Sequence, residues 1–136
     1  MNTKKWLLAS AAVFVVMLVL EFLIHGVLLP GVYRQTPLLW RTQAEMGQIV
    51  WIFWLGYLVF APFFALIYVK GYEKGKLGLG QGLRFGLYMG AMLSVLHSFA
   101  WYVILPIPLA LAFYWFVAIL VEFVAMGLAA GLVYRE

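Results

Sequence analysis

The stretch that decides the fold is residues 6–29, WLLASAAVFVVMLVLEFLIHGVLL, which is followed by Pro30 and Gly31. Apart from one glutamate and one histidine, this stretch is almost entirely apolar. About 20 apolar residues in an α-helix are enough to cross a hydrocarbon core about 30 Å thick. Secretory signal peptides have shorter apolar runs, of about 7–15 residues, and end in a small-residue cleavage site. Residues 6–29 show no such site, so we expect a membrane-spanning helix that is retained.

Three more apolar stretches follow, at about residues 49–69, 82–104 and 109–133. The whole chain of 136 residues is 67% hydrophobic and 10% charged, whereas soluble domains are about 45–50% apolar and about 25% charged. This composition excludes a soluble domain. Lipid offers no hydrogen-bond partners, so backbone N–H and C=O groups inside a membrane must pair with each other. An α-helix pairs them within a single segment, and we therefore expect an all-α protein. The predicted fold is a four-transmembrane-helix bundle that forms a single integral membrane domain over residues 1–136.

The basic residues indicate how this bundle is oriented. Of nine Lys and Arg residues, only Arg34 and Arg41 lie outside the side that holds both termini and the loop at residues 70–81. Loops rich in Lys and Arg stay in the cytoplasm. We therefore expect a multi-pass protein of the bacterial inner membrane with cytoplasmic N and C termini. Since the basic residues are spread over short loops, we expect the lipid bilayer, and no nucleic acid, as a partner.

The loops carry weaker signals. Thr36 before Pro37 is typical of a helix start and predicts a short helix over residues 38–46 that lies on the outer membrane interface. A solvated loop with Trp40 among the lipid headgroups fits the same residues. The loop at residues 70–81 is rich in Gly and Lys but lacks the spacing of a phosphate-binding loop. A flexible linker with anchoring lysines explains it better.

Small residues recur on the third and fourth spans at spacings that let helices approach closely. We expect helix packing through them and a central position for the third helix. Packing within one chain and assembly into a homo-oligomer or a larger membrane complex both remain open. The packing residues are Gly82, Gly86, Gly90 and Ser94 on the third span and Ala118, Ala125, Gly127 and Gly131 on the fourth.

Four ionisable side chains lie within the spans: Glu21, His25, His97 and Glu122. A charged group near the bilayer centre is costly, so such residues usually face the bundle interior and mark functional sites. A rise of about 1.5 Å per residue places Glu21, His25 and His97 at nearly one level in the outer half of the membrane. By the same count Glu122 lies roughly 20 Å from the outer face, and we expect it to join the others only through a tilt or a water molecule.

These residues predict a polar cluster that opens outward, with hydroxyl groups from Tyr57 and Tyr114 at comparable depth. Imidazole and a desolvated carboxylate both suit the binding of a proton, a cation or a small ligand. Transport is the function that this cluster favours first. We do not expect an enzyme, because the chain has no aspartate to orient a histidine beside a serine.

A metal site is an alternative, with His25, His97 and Glu21 as ligands. Two imidazoles and a carboxylate suit a divalent metal such as zinc, iron or manganese. The sequence Glu21-x-x-x-His25 departs from the Glu-x-x-His motif of di-iron bundles. A haem between the two histidines is disfavoured, since neither has supporting features. The chain has no cysteine, so thiolate ligands are excluded.

A third alternative is a structural role. A glutamate and a histidine that neutralise each other would fix how the helices pack without binding anything. The protein would then be an accessory or assembly subunit of a membrane complex. Glu122, which lies among the alanines of the fourth span, is the strongest candidate for such a role.

The C-terminal half resembles small bacterial four-helix membrane protein families of unknown function. The resemblance rests on the third helix beginning at Gly82, the Pro106 and Pro108 turn, and the closing pattern Gly127-x-x-x-Gly131-x-x-Tyr134. It implies the bundle fold and no activity. In size, helix count and a glutamate in the first helix, the layout also resembles small multidrug-resistance exporters, whose other motifs are not visible here.

Overall fold

The computed structural model describes residues 1–135 and is helical throughout, with 83% helix and no strand in that range. Four of its helices are long and apolar enough to cross a membrane, which confirms the predicted all-helical class with four candidate spans. In chain order the elements are α1 (Thr3–Glu21) continued by a π-helix (Phe22–Leu28), α2 (Pro30–Tyr33), a 3₁₀ turn (Pro37–Leu39), α3 (Gln43–Ile49), α4 (Trp51–Lys70), α5 (Gly78–Ile104) and α6 (Leu109–Val133).

The outward surface of the long helices is apolar. Phe53 on α4 is 62% exposed and Leu96 on α5 is 68% exposed, and both lie within candidate membrane spans. In water each exposed Å² of such surface costs about 25 cal/mol. A hydrocarbon environment removes that cost, so the surface agrees with a protein embedded in lipid.

The helices α5 and α6 form an antiparallel hairpin with their backbones in contact. A Cβ atom on Gly82 would overlap the carbonyl oxygen of Gly127, and a Cβ atom on Gly127 would overlap that of Gly82. Gly78 and Gly131 are paired in the same way one turn away. The glycine ridge is therefore used for packing within the chain.

The helix α6 packs mainly against α5 and α1 and also contacts α4, whereas the backbone of α5 packs closely against α6 alone among the described helices, so the prediction of a central third span is wrong. Along α5, the close backbone contacts are with α6, and the contact with α4 is made by side chains such as Phe85, whose ring lies 4.8 Å from that of Phe64. On α6, Gly127 faces α5 whereas Ala130 packs into a second cluster with Ala9 of α1 and Ala65 of α4. A ridge of glycines thus indicates how closely one neighbour approaches and does not indicate the number of neighbours.

The segment between α1 and α4 differs from its prediction. The predicted helix over residues 38–46 is helical only from Gln43, because the 3₁₀ turn ends at Leu39 and Trp40 is extended. The Thr36 hydroxyl accepts a hydrogen bond from Trp40 Nε1 at 3.3 Å and caps no helix. Instead α3 begins at Gln43, where Thr42 and Glu45 form a capping box. The Thr-x-x-Glu spacing of such a box was visible in the sequence.

This segment folds over the end of the bundle. Tyr33 and Trp40 pack in one cluster with Leu29 at the end of the first span and with Leu111 and Trp115 near the start of α6. The rings of Tyr33 and Trp40 meet edge to face at 5.2 Å, and Trp40 and Trp115 do so at 6.3 Å. Side chains from outside the long helices are thereby brought against α6.

The loop between α4 and α5 is held by hydrogen bonds, in contrast to the predicted flexible linker. The amide of Gln81 accepts from the backbone N–H of Glu73 at 2.8 Å and donates to the backbone carbonyls of Glu73 and Lys76 at 3.1 and 3.2 Å. The Glu73 carboxylate accepts from Lys76 and, at 2.9 Å, from Arg84. The bonds from Lys76 and then Arg84 lower the pKa of Glu73 below its usual range.

This lowered pKa gives a pH-dependent prediction for Glu73→Gln. The native carboxylate contributes stability above its unfolded pKa of about 4.3, and that stability is lost as the pH falls through the lower folded pKa. At neutral pH we expect Glu73→Gln to lower the melting temperature slightly, because the group is exposed. The melting temperatures of the two proteins should converge in acid. A difference that grows on acidification would contradict the ion pairs.

Candidate metal site

Three ionisable residues meet where α1 and α6 pack together. Glu21, His25 and Glu122 each offer a ligand atom, and these atoms lie within 4.8 Å of one another. His25 Nε2 lies 3.5 Å from Glu21 Oε2, across the i, i+4 spacing of the first span. Glu122 reaches the pair from α6.

The first span changes its helix type at this site. Glu21 is the last α-helical residue, and the π-helix that carries His25 begins at Phe22. The Leu29 N–H donates to the Ile24 carbonyl at 2.9 Å, the i to i+5 pattern of a π-helix. Such segments are rare and are frequently found at functional sites. The sequence showed no signal for this change.

The three residues differ in burial. Glu122 is only 5% exposed, and its Oε1 atom has no hydrogen-bond partner within residues 1–135. The side chains of Glu21 and His25 are 28% and 41% exposed. A buried carboxylate oxygen without a partner is unusual, because desolvation is normally offset by hydrogen bonds. The group therefore runs from a buried carboxylate to an imidazole at the protein surface.

A chain of hydrogen bonds supports His25 from its other nitrogen. His25 Nδ1 lies 2.5 Å from the Tyr33 hydroxyl, and their rings stack at 6.0 Å with an angle of 10°. Trp115 Nε1 donates to the same hydroxyl at 3.0 Å. Burial raises the pKa of Tyr33 above its ordinary value of 10.0, and this outweighs the opposing effect of the Trp115 hydrogen bond. Tyr33 is therefore a neutral phenol at physiological pH.

His97 lies outside this group of three. It is exposed, and its ring contacts Trp101 at 6.3 Å and Trp115 at 6.0 Å. Together with Trp40 and Leu105 these residues line an open cleft of about 290 Å³. The predicted ligand set of His25, His97 and Glu21 thus differs from the group that the fold assembles, in which Glu122 takes the third place.

The two predicted tyrosines also have different positions. Tyr57 on α4 is half-buried and lies near the Glu21 carboxylate. Tyr114 is 49% exposed on the outside of α6 and lies apart from the group of three. The sequence does not identify Tyr33 and Trp115 as site residues, because nothing in their spacing from His25 indicates a contact.

Glu122 joins the group of three directly, with a ligand atom within 4.8 Å of ligand atoms on Glu21 and His25. In the structure Leu29 and Leu111 pack in one cluster. From there Glu21 lies eight residues along the first span, most of them in the π-helix, and Glu122 lies eleven residues along α6. Two glutamate side chains reach across this difference, so neither a large tilt nor a bridging water is needed.

Two carboxylates and one imidazole are suitable ligands for a metal ion. Imidazole suits zinc, iron and nickel, and carboxylates suit manganese, magnesium and zinc. Three protein ligands also leave coordination positions open for water or another ligand. Comparisons of the chain with known protein families, with curated proteins and with solved structures found no match, and the function is therefore inferred from this site.

Proposed function

We propose that the protein binds a divalent transition-metal ion inside the membrane, with Glu21, His25 and Glu122 as its ligands. The observation that carries this proposal is the buried Glu122 carboxylate, whose Oε1 has no partner within residues 1–135 and which offers a ligand atom within 4.8 Å of those on Glu21 and His25. Placing a carboxylate there without a partner is costly. A cation in the gap supplies that partner.

The charge balance favours a dication. Two ionised carboxylates and a neutral imidazole carry two negative charges, and a divalent ion neutralises them. A neutral complex avoids the cost of net charge in a medium of low dielectric constant. A monovalent cation would leave one negative charge uncompensated in the membrane.

The surroundings favour binding from one side. Met17 and Met126 lie four residues from Glu21 and Glu122 toward the termini, and both are buried apolar side chains. On the opposite side His25 is partly exposed. With the termini in the cytoplasm of a bacterial inner membrane, as the bias of Lys and Arg supports, the site takes its metal from outside. Transport to the cytoplasm requires a second conformation, in which the side of the site that Met17 and Met126 cover becomes open.

The test is metal titration of protein purified without a polyhistidine tag. After removal of metal with a chelator, Zn²⁺, Mn²⁺ or Fe²⁺ is added, and the bound metal per chain is measured by mass spectrometry. We expect about one ion per chain for at least one of these metals. His25→Gln should weaken binding at least tenfold, since it removes a ligand.

His97→Gln is the matched control, because it is the same substitution at the chain's other histidine. We expect it to bind metal as the unmodified protein does. If the unmodified protein binds none of the three metals, or if both variants lose binding equally, the proposed ligand set is wrong.

A further inference from the structure

We infer that Tyr33 is a positioning residue of the metal site and that its hydroxyl, together with the Glu21 carboxylate, sets which nitrogen of His25 carries the proton. The inference rests on the proposed metal-binding function. Tyr33 lies on α2, outside the four long helices, and contacts His25 through both its ring and its hydroxyl. Metal-bound histidines generally need such a partner on the nitrogen that does not bind the metal.

The direction of the hydrogen bonds follows from the two residues at the ends of the series, Trp115 and Glu21. The indole N–H of Trp115 can only donate, so the Tyr33 oxygen accepts there. At the other end, His25 Nε2 faces the Glu21 carboxylate at 3.5 Å. A carboxylate oxygen on this side of the ring favours the tautomer that carries the proton on Nε2. His25 Nδ1 is then the acceptor, and the Tyr33 O–H donates to it.

Metal binding reverses one of these bonds. The nitrogen that faces Glu21 is Nε2, so the metal takes the place of the proton on this atom. The imidazole loses the proton at Nε2 and gains one at Nδ1. It therefore remains neutral, with its single proton on Nδ1. Nδ1–H donates to the Tyr33 oxygen, which has a second lone pair beside the one used by Trp115. A hydroxyl serves as donor in the empty site and as acceptor in the loaded site.

Tyr33 is held in place by two tryptophans. Trp40 Nε1 donates to the backbone carbonyl of Tyr33 at 3.1 Å, and Trp115 Nε1 donates to its hydroxyl. Its ring also packs against Trp40 at 5.2 Å. The hydroxyl is thus fixed before a metal arrives, and it fixes the orientation of the imidazole in turn.

The test compares Tyr33→Phe with the unmodified protein, since phenylalanine retains the ring and removes only the hydroxyl. We expect the Zn²⁺ affinity to fall about 10–100-fold. Tyr114→Phe, which removes a hydroxyl from an exposed site apart from the cluster, should leave the affinity unchanged. Equal affinities for Tyr33→Phe and the unmodified protein would overturn the positioning role.

A second measurement follows the proton itself in the metal-free protein. Nitrogen-15 NMR of labelled histidine in a His97→Gln background reports His25 alone. We expect a protonated Nε2 and an unprotonated Nδ1, a proton on Nδ1 after Zn²⁺ is added, and a mixture of tautomers in Tyr33→Phe. Protonation of Nδ1 in the metal-free protein would overturn the inference. Absence of any metal binding with the expected tautomer present would instead refute the proposed function.

Discussion

Replacing Glu122 with methionine is expected to stabilise the metal-free protein and to abolish its metal binding. The carboxylate is 5% exposed and its Oε1 has no partner within residues 1–135. Leaving such a group buried costs about 1–3 kcal/mol, and an apolar side chain of similar volume removes that cost. Thermal unfolding in detergent measures the first effect, and Zn²⁺ titration measures the second.

Glu21→Met is the control for this prediction. It removes the other carboxylate ligand and should also abolish binding. Glu21 is paired with His25 at 3.5 Å and is 28% exposed, so its replacement brings no comparable gain in stability. If Glu122→Met lowers stability instead, the carboxylate serves mainly to lock the helices, and an accessory or assembly subunit becomes the better description of the protein.

Replacing Gly82 with alanine is expected to disrupt the hairpin of α5 and α6. The added methyl group would overlap the carbonyl oxygen of Gly127 and would lie 3.2 Å from the Cα atom of Gly131. Backbone atoms cannot move aside as a flexible side chain does, so the helices must separate. We expect a loss of about 3 kcal/mol, the upper end of the usual cost of overpacking.

Gly80→Ala is the matched control, two residues away on the same helix. A Cβ atom on Gly80 meets nothing within 4 Å. Because alanine favours the helix over glycine by about 1 kcal/mol, this variant should be as stable as the unmodified protein or slightly more stable. Equal losses at both positions would show that the close approach of the two backbones contributes nothing to stability.

The spans could be predicted because the membrane imposes a simple requirement on them. The fourth span begins at Leu109 and ends at Val133, as expected, and the others begin and end within four residues of their predicted positions. Length and apolar composition decide these boundaries locally. The start of α3 is also marked locally, by the capping box of Thr42 and Glu45. The prediction rests on Thr36 and Pro37 instead and therefore places the helix start too early.

The candidate site could be predicted only in part, and the reason is geometric. Glu21 and His25 lie on one helix, so their spacing alone brings them together. Their contact with Glu122 and Tyr33 depends on how the segment after Leu29 folds against α6. That packing involves residues far apart in the chain. The hydrophobic periodicity of the helices does not indicate this packing. Counting depths from assumed helix ends does not indicate it either.

Under the proposed function, the position of Tyr33 on a connecting segment places one determinant of metal affinity outside the four spanning helices. A spanning helix tolerates few insertions or exchanges, whereas connections between helices vary freely among related proteins. The segment that holds Tyr33 and Trp40 contributes the outer partner of His25 without crossing the bilayer. Under the proposed function, substitutions in this connector are therefore expected to change the metal affinity while all four spans stay as they are.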